Sequence, residues 1–134
     1  LIVFDIFEKK DFDNFEENKF CKQDGEIKVF DDPECHKYTM FKDGKPVALI
    51  CFKETAPRDF GGFFVISEDF AKEDCTPLRQ FVDRTAKDFK AKRVWTASRQ
   101  EKELQHWHEF FGMMKEGTIE LEGITCDVWS MKWE

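Results

Sequence analysis

The sequence predicts an α/β (α+β) fold, with a central, mostly antiparallel mixed sheet flanked by about three helices. Three observations predict it. Short apolar runs such as Val47–Phe52 and Phe63–Ile66 recur along the chain, divided by turns that carry Gly or Asp. Two longer segments repeat mostly apolar residues at helical spacing: Leu78, Phe81, Val82, Thr85 and Phe89, then Leu104, Trp107, His108 and Phe111. In 134 residues, 41% are hydrophobic and 37% charged, a balance that allows one packed core under a charged surface, so a single domain over 1–134 is expected.

In order, Leu1–Phe7 reads as a first strand, and Asp11–Phe20 as a short helix that turns Phe12, Phe15 and Phe20 inward. Residues 21–36, with Gly25 and Asp31-Asp32-Pro33, read as a loop or a weak element. Tyr38–Phe41 and Val47–Phe52 flank Asp43-Gly44 as a hairpin. The second of these runs is apolar on both faces and should be a covered central strand. Gly61-Gly62 introduces the strand Phe63–Ile66. Thr76-Pro77 reads as a helix entrance, a hydroxyl cap followed by proline at the first helical position. Val94–Ala97 follows as a strand, then a capping box at Ser98–Glu101 opens a helix that Gly112 stops. Thr118–Leu121, a turn at Glu122-Gly123 and a strand from Ile124 to about Lys132 close the order. Trp129, Met131 and Trp133 share one face of that last strand, either as core or as an interaction edge.

Composition narrows the function. Twenty-eight acidic against 21 basic residues give a net charge of -7, which argues against a nucleic-acid partner despite the cluster Arg84, Lys87, Lys90, Lys92, Arg93 and Arg99. The same charge would permit an acidic mimic of nucleic acid, although the interspersed basic residues dilute such a field. Five scattered cysteines without a Cys-x-x-Cys pair point to a reducing compartment. The opening Leu-Ile-Val-Phe run, interrupted by Asp5, reads as neither signal peptide nor membrane span. The histidines offer no shared metal site: His106 and His108 lie two apart on a helix and diverge.

The order of elements from Lys37 onward, together with Trp107-His108-Glu109-Phe110-Phe111-Gly112-Met113 at a helix end, resembles the GNAT acetyltransferases. More narrowly it resembles the small acetyltransferase-like proteins of short-tailed phages, of the internal virion protein A type. The resemblance implies acetyl-CoA as cofactor, with the backbone of Thr76, Leu78 and Arg79 at its phosphates. It also implies His108 as the acid for the leaving thiolate, and Glu54 is a candidate base for the amine. Against this, family members carry an Arg/Gln-x-x-Gly-x-Gly/Ala cradle, whereas here Ala71, Asp74 and Thr76 fall at its Arg/Gln and two Gly positions. Residues 67–78 contain no glycine, and Glu68, Asp69, Glu73 and Asp74 face only Lys72. Bare amides and positive potential are what hold a diphosphate at a helix N-terminus. A carboxylate capping the helix in the phosphates' place is therefore expected. The expectation is a non-catalytic phage protein without cofactor, in the host cytoplasm or virion, with a phage or host protein partner and no membrane. The alternative is an N-acetyltransferase that uses acetyl-CoA through a degenerate loop.

Overall fold

The computed structural model describes residues 1–13, 15 and 30–134. Among these residues seven strands form one sheet: β1 (Ile2–Ile6), β2 (His36–Lys42), β3 (Lys45–Ala56), β4 (Asp59–Ile66), β5 (Arg93–Arg99), β6 (Met114–Leu121) and β7 (Ile124–Lys132). Helix α1 (Lys9–Asp13) follows β1, α2 (Cys75–Asp88) joins β4 to β5, and α3 (Lys102–Phe111) joins β5 to β6. The sheet order is β1-β2-β3-β4-β5-β7-β6, and among the described strands only β4 and β5 run parallel. Among the described residues, this mixed, mostly antiparallel sheet with three helices is the expected fold class. Of the expected helix over 11–20, residues 11–13 belong to α1 and Phe15 is in no helix; residues 14 and 16–20, like Cys21 and Gly25, lie outside the described residues.

Strand β3 lies inside the sheet, between β2 and β4, and its side chains are apolar on both faces. Ala48, Ile50 and Phe52 pack with Leu78, Val82 and Ala86 of α2, while Leu49 and Cys51 pack with Phe30 and Val65 on the opposite face. The turns between β2 and β3 and between β6 and β7 need two consecutive positive φ angles. Asp43 (49°) and Gly44 (82°) supply one pair, Glu122 (51°) and Gly123 (80°) the other, a geometry matched to strand twist. Trp129 and Met131 are core residues, 3% exposed each, with Trp133 packed against them. On the other face Arg93 bridges Asp59 and Glu116, and Ser130 donates to Glu116, which ties β4, β5, β6 and β7 together.

Two local expectations are corrected. Helix α2 begins at Cys75, not Pro77, because a 3-10 turn over Lys72–Asp74 runs directly into it. Pro77 therefore lies inside the first turn, where its missing N–H costs little. Ser98 does not cap α3. It lies in β5, opposite Asp127 of β7, and Glu101 takes the cap position. Strand pairing over Arg93–Arg99 prevails over the local capping signal.

Gly61 and Gly62 fall within β4 instead of introducing it. A Cβ on Gly62 would sit 2.9 Å from Val94 Cγ1 and 3.0 Å from Phe64 Cε2. Glycine is thus what lets β4 lie against β5 at this level. Gly62→Ala is expected to destabilise the fold by about 1–3 kcal/mol through overpacking. Urea unfolding checks this, and an unchanged midpoint would show that Val94 yields freely.

Candidate functional site

Strands β4 and β5 pair only through Asp59↔Arg93, Phe60↔Val94 and Gly61↔Trp95. Beyond Gly61 the two strands have no paired residues with each other, although each stays paired on its other side, β4 to β3 and β5 to β7. The unpaired halves border a cavity of about 100 Å³. Phe64 and Ile66 of β4 line it, as do Thr96 and Ser98 of β5. Leu78 of α2 and Trp107 of α3 also line it, and Phe70 meets Trp107 edge to face at 5.7 Å. The walls are therefore mostly apolar.

Two polar groups in this wall stand out. Ser98 is 6% exposed, and among the described residues its hydroxyl has no hydrogen-bond partner. A buried hydroxyl without a partner forfeits about 1–3 kcal/mol, so it marks a place where a ligand atom would be welcome. The second group is His108, half-buried and stacked on Trp129 at 5.3 Å with an interplanar angle of 11°. Its Nδ1 lies 2.6 Å from the Leu104 carbonyl, which can only accept, so Nδ1 carries a proton and Nε2 is free to take one. Burial pushes the His108 pKa below the ordinary histidine value, against the Leu104 hydrogen bond and the nearby Asp127 carboxylate. The ring is neutral near pH 7. This favours proton acceptance over the acid role that the resemblance implies.

The lowered His108 pKa also predicts a pH dependence. A base depressed on folding binds fewer protons in the folded than in the unfolded chain, so stability rises with pH. Its contribution is complete above the unfolded value near 6.5 and is lost as pH falls through the lower folded value. The fold should weaken between pH 7 and 5, and His108→Asn should flatten that profile in thermal melts. An unaltered slope in the variant would show that another group governs it.

Of the remaining candidates, Leu78 lines the cavity, whereas Glu54, Thr76 and Arg79 do not. Glu54 lies at the far end of the β3–β4 ladder from Ile66, and its carboxylate accepts the Arg58 amide at 3.1 Å. It closes a turn and does not face His108. Thr76 is exposed on the first turn of α2, whereas the amides of Leu78 and Arg79 fall where the helix's own i−4 bonds engage them. Arg79 instead sends its guanidinium to the carbonyls of Phe111 and Gly112 at the end of α3. Cys75 lines the cavity, but burial and the neighbouring Asp74 push its thiol up to about 11, so it is no thiolate at neutral pH. Among the described residues no cluster of three His, Cys, Asp or Glu could hold a metal ion. None of their helices is long and apolar enough to cross a membrane.

Most of the amides over residues 67–75 on the approach to α2 are already hydrogen-bonded within the protein. The amides of Ser67, Asp69, Phe70 and Asp74 bond to Val47, Ser67, Ser67 and Ala71 respectively. The Cys75 amide bonds to the Lys72 carbonyl, and the Ala71 amide to Asp74 Oδ2 at 2.8 Å. Asp74 is 4% exposed and also pairs with Lys42 at 2.9 Å. The expected carboxylate cap on α2 is thus corrected: Asp74 closes the preceding 3-10 turn, and no side chain caps α2 itself. Sequence reasoning missed Ser98 as a cavity residue, because only the register with β7 shows which face it occupies.

No family model matches the sequence, and no curated protein matches it either. Solved structures do match the fold. An aminoglycoside acetyltransferase in complex with coenzyme A superposes with a TM-score of 0.75 at 13% identity, covering 98% of this chain and 95% of that one. The IAA acetyltransferase from Bacillus cereus ATCC 14579 gives 0.74 at 12% identity over 99% and 100% of the two chains. A GNAT family acetyltransferase from Elizabethkingia anophelis with acetyl-CoA bound gives 0.72 at 12% identity, with 98% of each chain covered. The protein has the GNAT acetyltransferase fold.

Proposed function

We propose that the protein is an N-acyltransferase that takes the acyl end of a thioester into the cavity between β4 and β5. The observation that carries this reading is the unpaired half of those two strands, bordering an apolar cavity that Ser98 and His108 line. A cavity of about 150 Å³ holds one benzene ring, so about 100 Å³ suits a short acyl group of a few heavy atoms. The donor supplies an activated carbonyl. His108, neutral and open at Nε2, takes the proton that an attacking amine must lose. Acetyl-CoA is the donor that the coenzyme-bound neighbours suggest. Its acyl end suits the cavity, and its diphosphate does not suit the α2 entrance.

The test is thiol release from acetyl thioesters with a panel of primary amines, followed by absorbance and by mass of the product. Saturable, amine-dependent release that falls at least about a hundredfold in His108→Ala supports the reading, a loss within the usual range for a general base. Release no faster than the buffer background would overturn it. The engaged amides at 67–75 favour a second reading, a non-catalytic phage structural or host-interaction protein on this scaffold. Background rates with every donor, together with capture of a defined phage or host partner, would favour that one.

A further inference from the structure

We infer that the cavity takes the acyl end of a neutral thioester of the pantetheine type, carried without a nucleotide diphosphate. This rests on the acyl-transfer reading of the same cavity and narrows its donor. The inner end supplies what such a chain needs: apolar walls from Phe64, Ile66 and Leu78, and the unpartnered Ser98 hydroxyl for a thioester or amide oxygen. The outer end opposes what coenzyme A adds. A diphosphate is recognised by free amides and unpaired cations. Here the amides of Asp69, Phe70, Ala71, Asp74 and Cys75 already have acceptors inside the segment. The cations around it are engaged as well. Lys42 pairs with Asp74, Lys45 with Asp69, and Arg79 with Asp83 and the end of α3, while Lys72 lies over the Phe110 ring at 5.8 Å. Glu68, Asp69, Glu73 and Asp74 would then face the incoming phosphates at close range, and like charges at an interface cost several kcal/mol.

Ser98 gives the inference a signature that a merely structural role does not share. Removing a buried hydroxyl that has no partner relieves a desolvation penalty, so Ser98→Ala should melt at the same temperature as the parent or higher. The same change removes one ligand hydrogen bond, so affinity should fall roughly five- to tenfold. Stability and binding then move in opposite directions.

The experiment is a calorimetric titration of the full chain with S-acetyl-pantetheine, S-acetyl-N-acetylcysteamine and acetyl-CoA, repeated with Ser98→Ala and Ser98→Val. The expected result is binding of the two neutral thioesters at least about tenfold tighter than acetyl-CoA, weakened in both variants while their melting temperatures hold. Equal or tighter binding of acetyl-CoA would overturn the inference and leave the acyl-transfer reading standing. Heat from none of the three would overturn that reading as well. Unchanged affinity in both Ser98 variants would place the ligand elsewhere and overturn the assignment of this cavity.

Discussion

Trp129→Ala is expected to lose about 3–5 kcal/mol of unfolding free energy, the usual cost of truncating a buried tryptophan. Trp129 is 3% exposed on β7, opposite Thr96 of β5, and its indole lies under the His108 ring. Alanine would open a void in the main core cluster, and it would also withdraw the surface that orients His108. Against a total stability of about 5–15 kcal/mol, such a loss approaches global unfolding. Trp129→Phe should cost clearly less, for two reasons. It keeps an aromatic face against His108, and it deletes an indole N–H that has no hydrogen-bond partner among the described residues. Urea unfolding of both variants measures the difference. A loss below about 1 kcal/mol for alanine would mean the core collapses around the gap, against the tight packing inferred here.

What could be read from the sequence was whatever its neighbours in the chain decide. Asp43-Gly44 and Glu122-Gly123 announce turns by conformational need alone, and both are found with positive φ. Gly112 ends α3 in the left-handed region as expected, at φ 96°. The Val47–Phe52 run reads as doubly covered because no polar residue interrupts it, and it is buried throughout. The site was less legible because distant contacts make it. Ser98 carries a credible capping signal, yet its pairing with Asp127, far along the chain, keeps it in β5 and brings it to the cavity. His108 was chosen from the resemblance, but its neutral state comes from burial and from the Leu104 carbonyl. The crowding of acids at 68–74 was plain in the sequence. That Asp74 turns to Lys42 and the Ala71 amide, instead of capping α2, was not. Lys42 belongs to a strand 32 residues earlier, and nothing local marks it as a partner.

Asp74→Ala should move stability and ligand preference in opposite directions. The buried carboxylate accepts from Lys42 Nζ at 2.9 Å and from the Ala71 amide at 2.8 Å. Losing it strands the amide and removes a charge-assisted bond, at a combined cost of about 2–3 kcal/mol. Asp74→Asn keeps a carbonyl for the Ala71 amide and should lose less, which separates the amide from the charge. Both changes subtract one negative charge from the α2 entrance, and alanine also frees an N–H beside it. Acetyl-CoA should therefore bind either variant more tightly than the parent, with the larger gain for alanine, while the neutral thioesters keep their affinity. Equilibrium unfolding and calorimetry read the two effects on the same samples. If Asp74→Ala is as stable as the parent and no more receptive to acetyl-CoA, this carboxylate neither holds the entrance together nor bars it to phosphates.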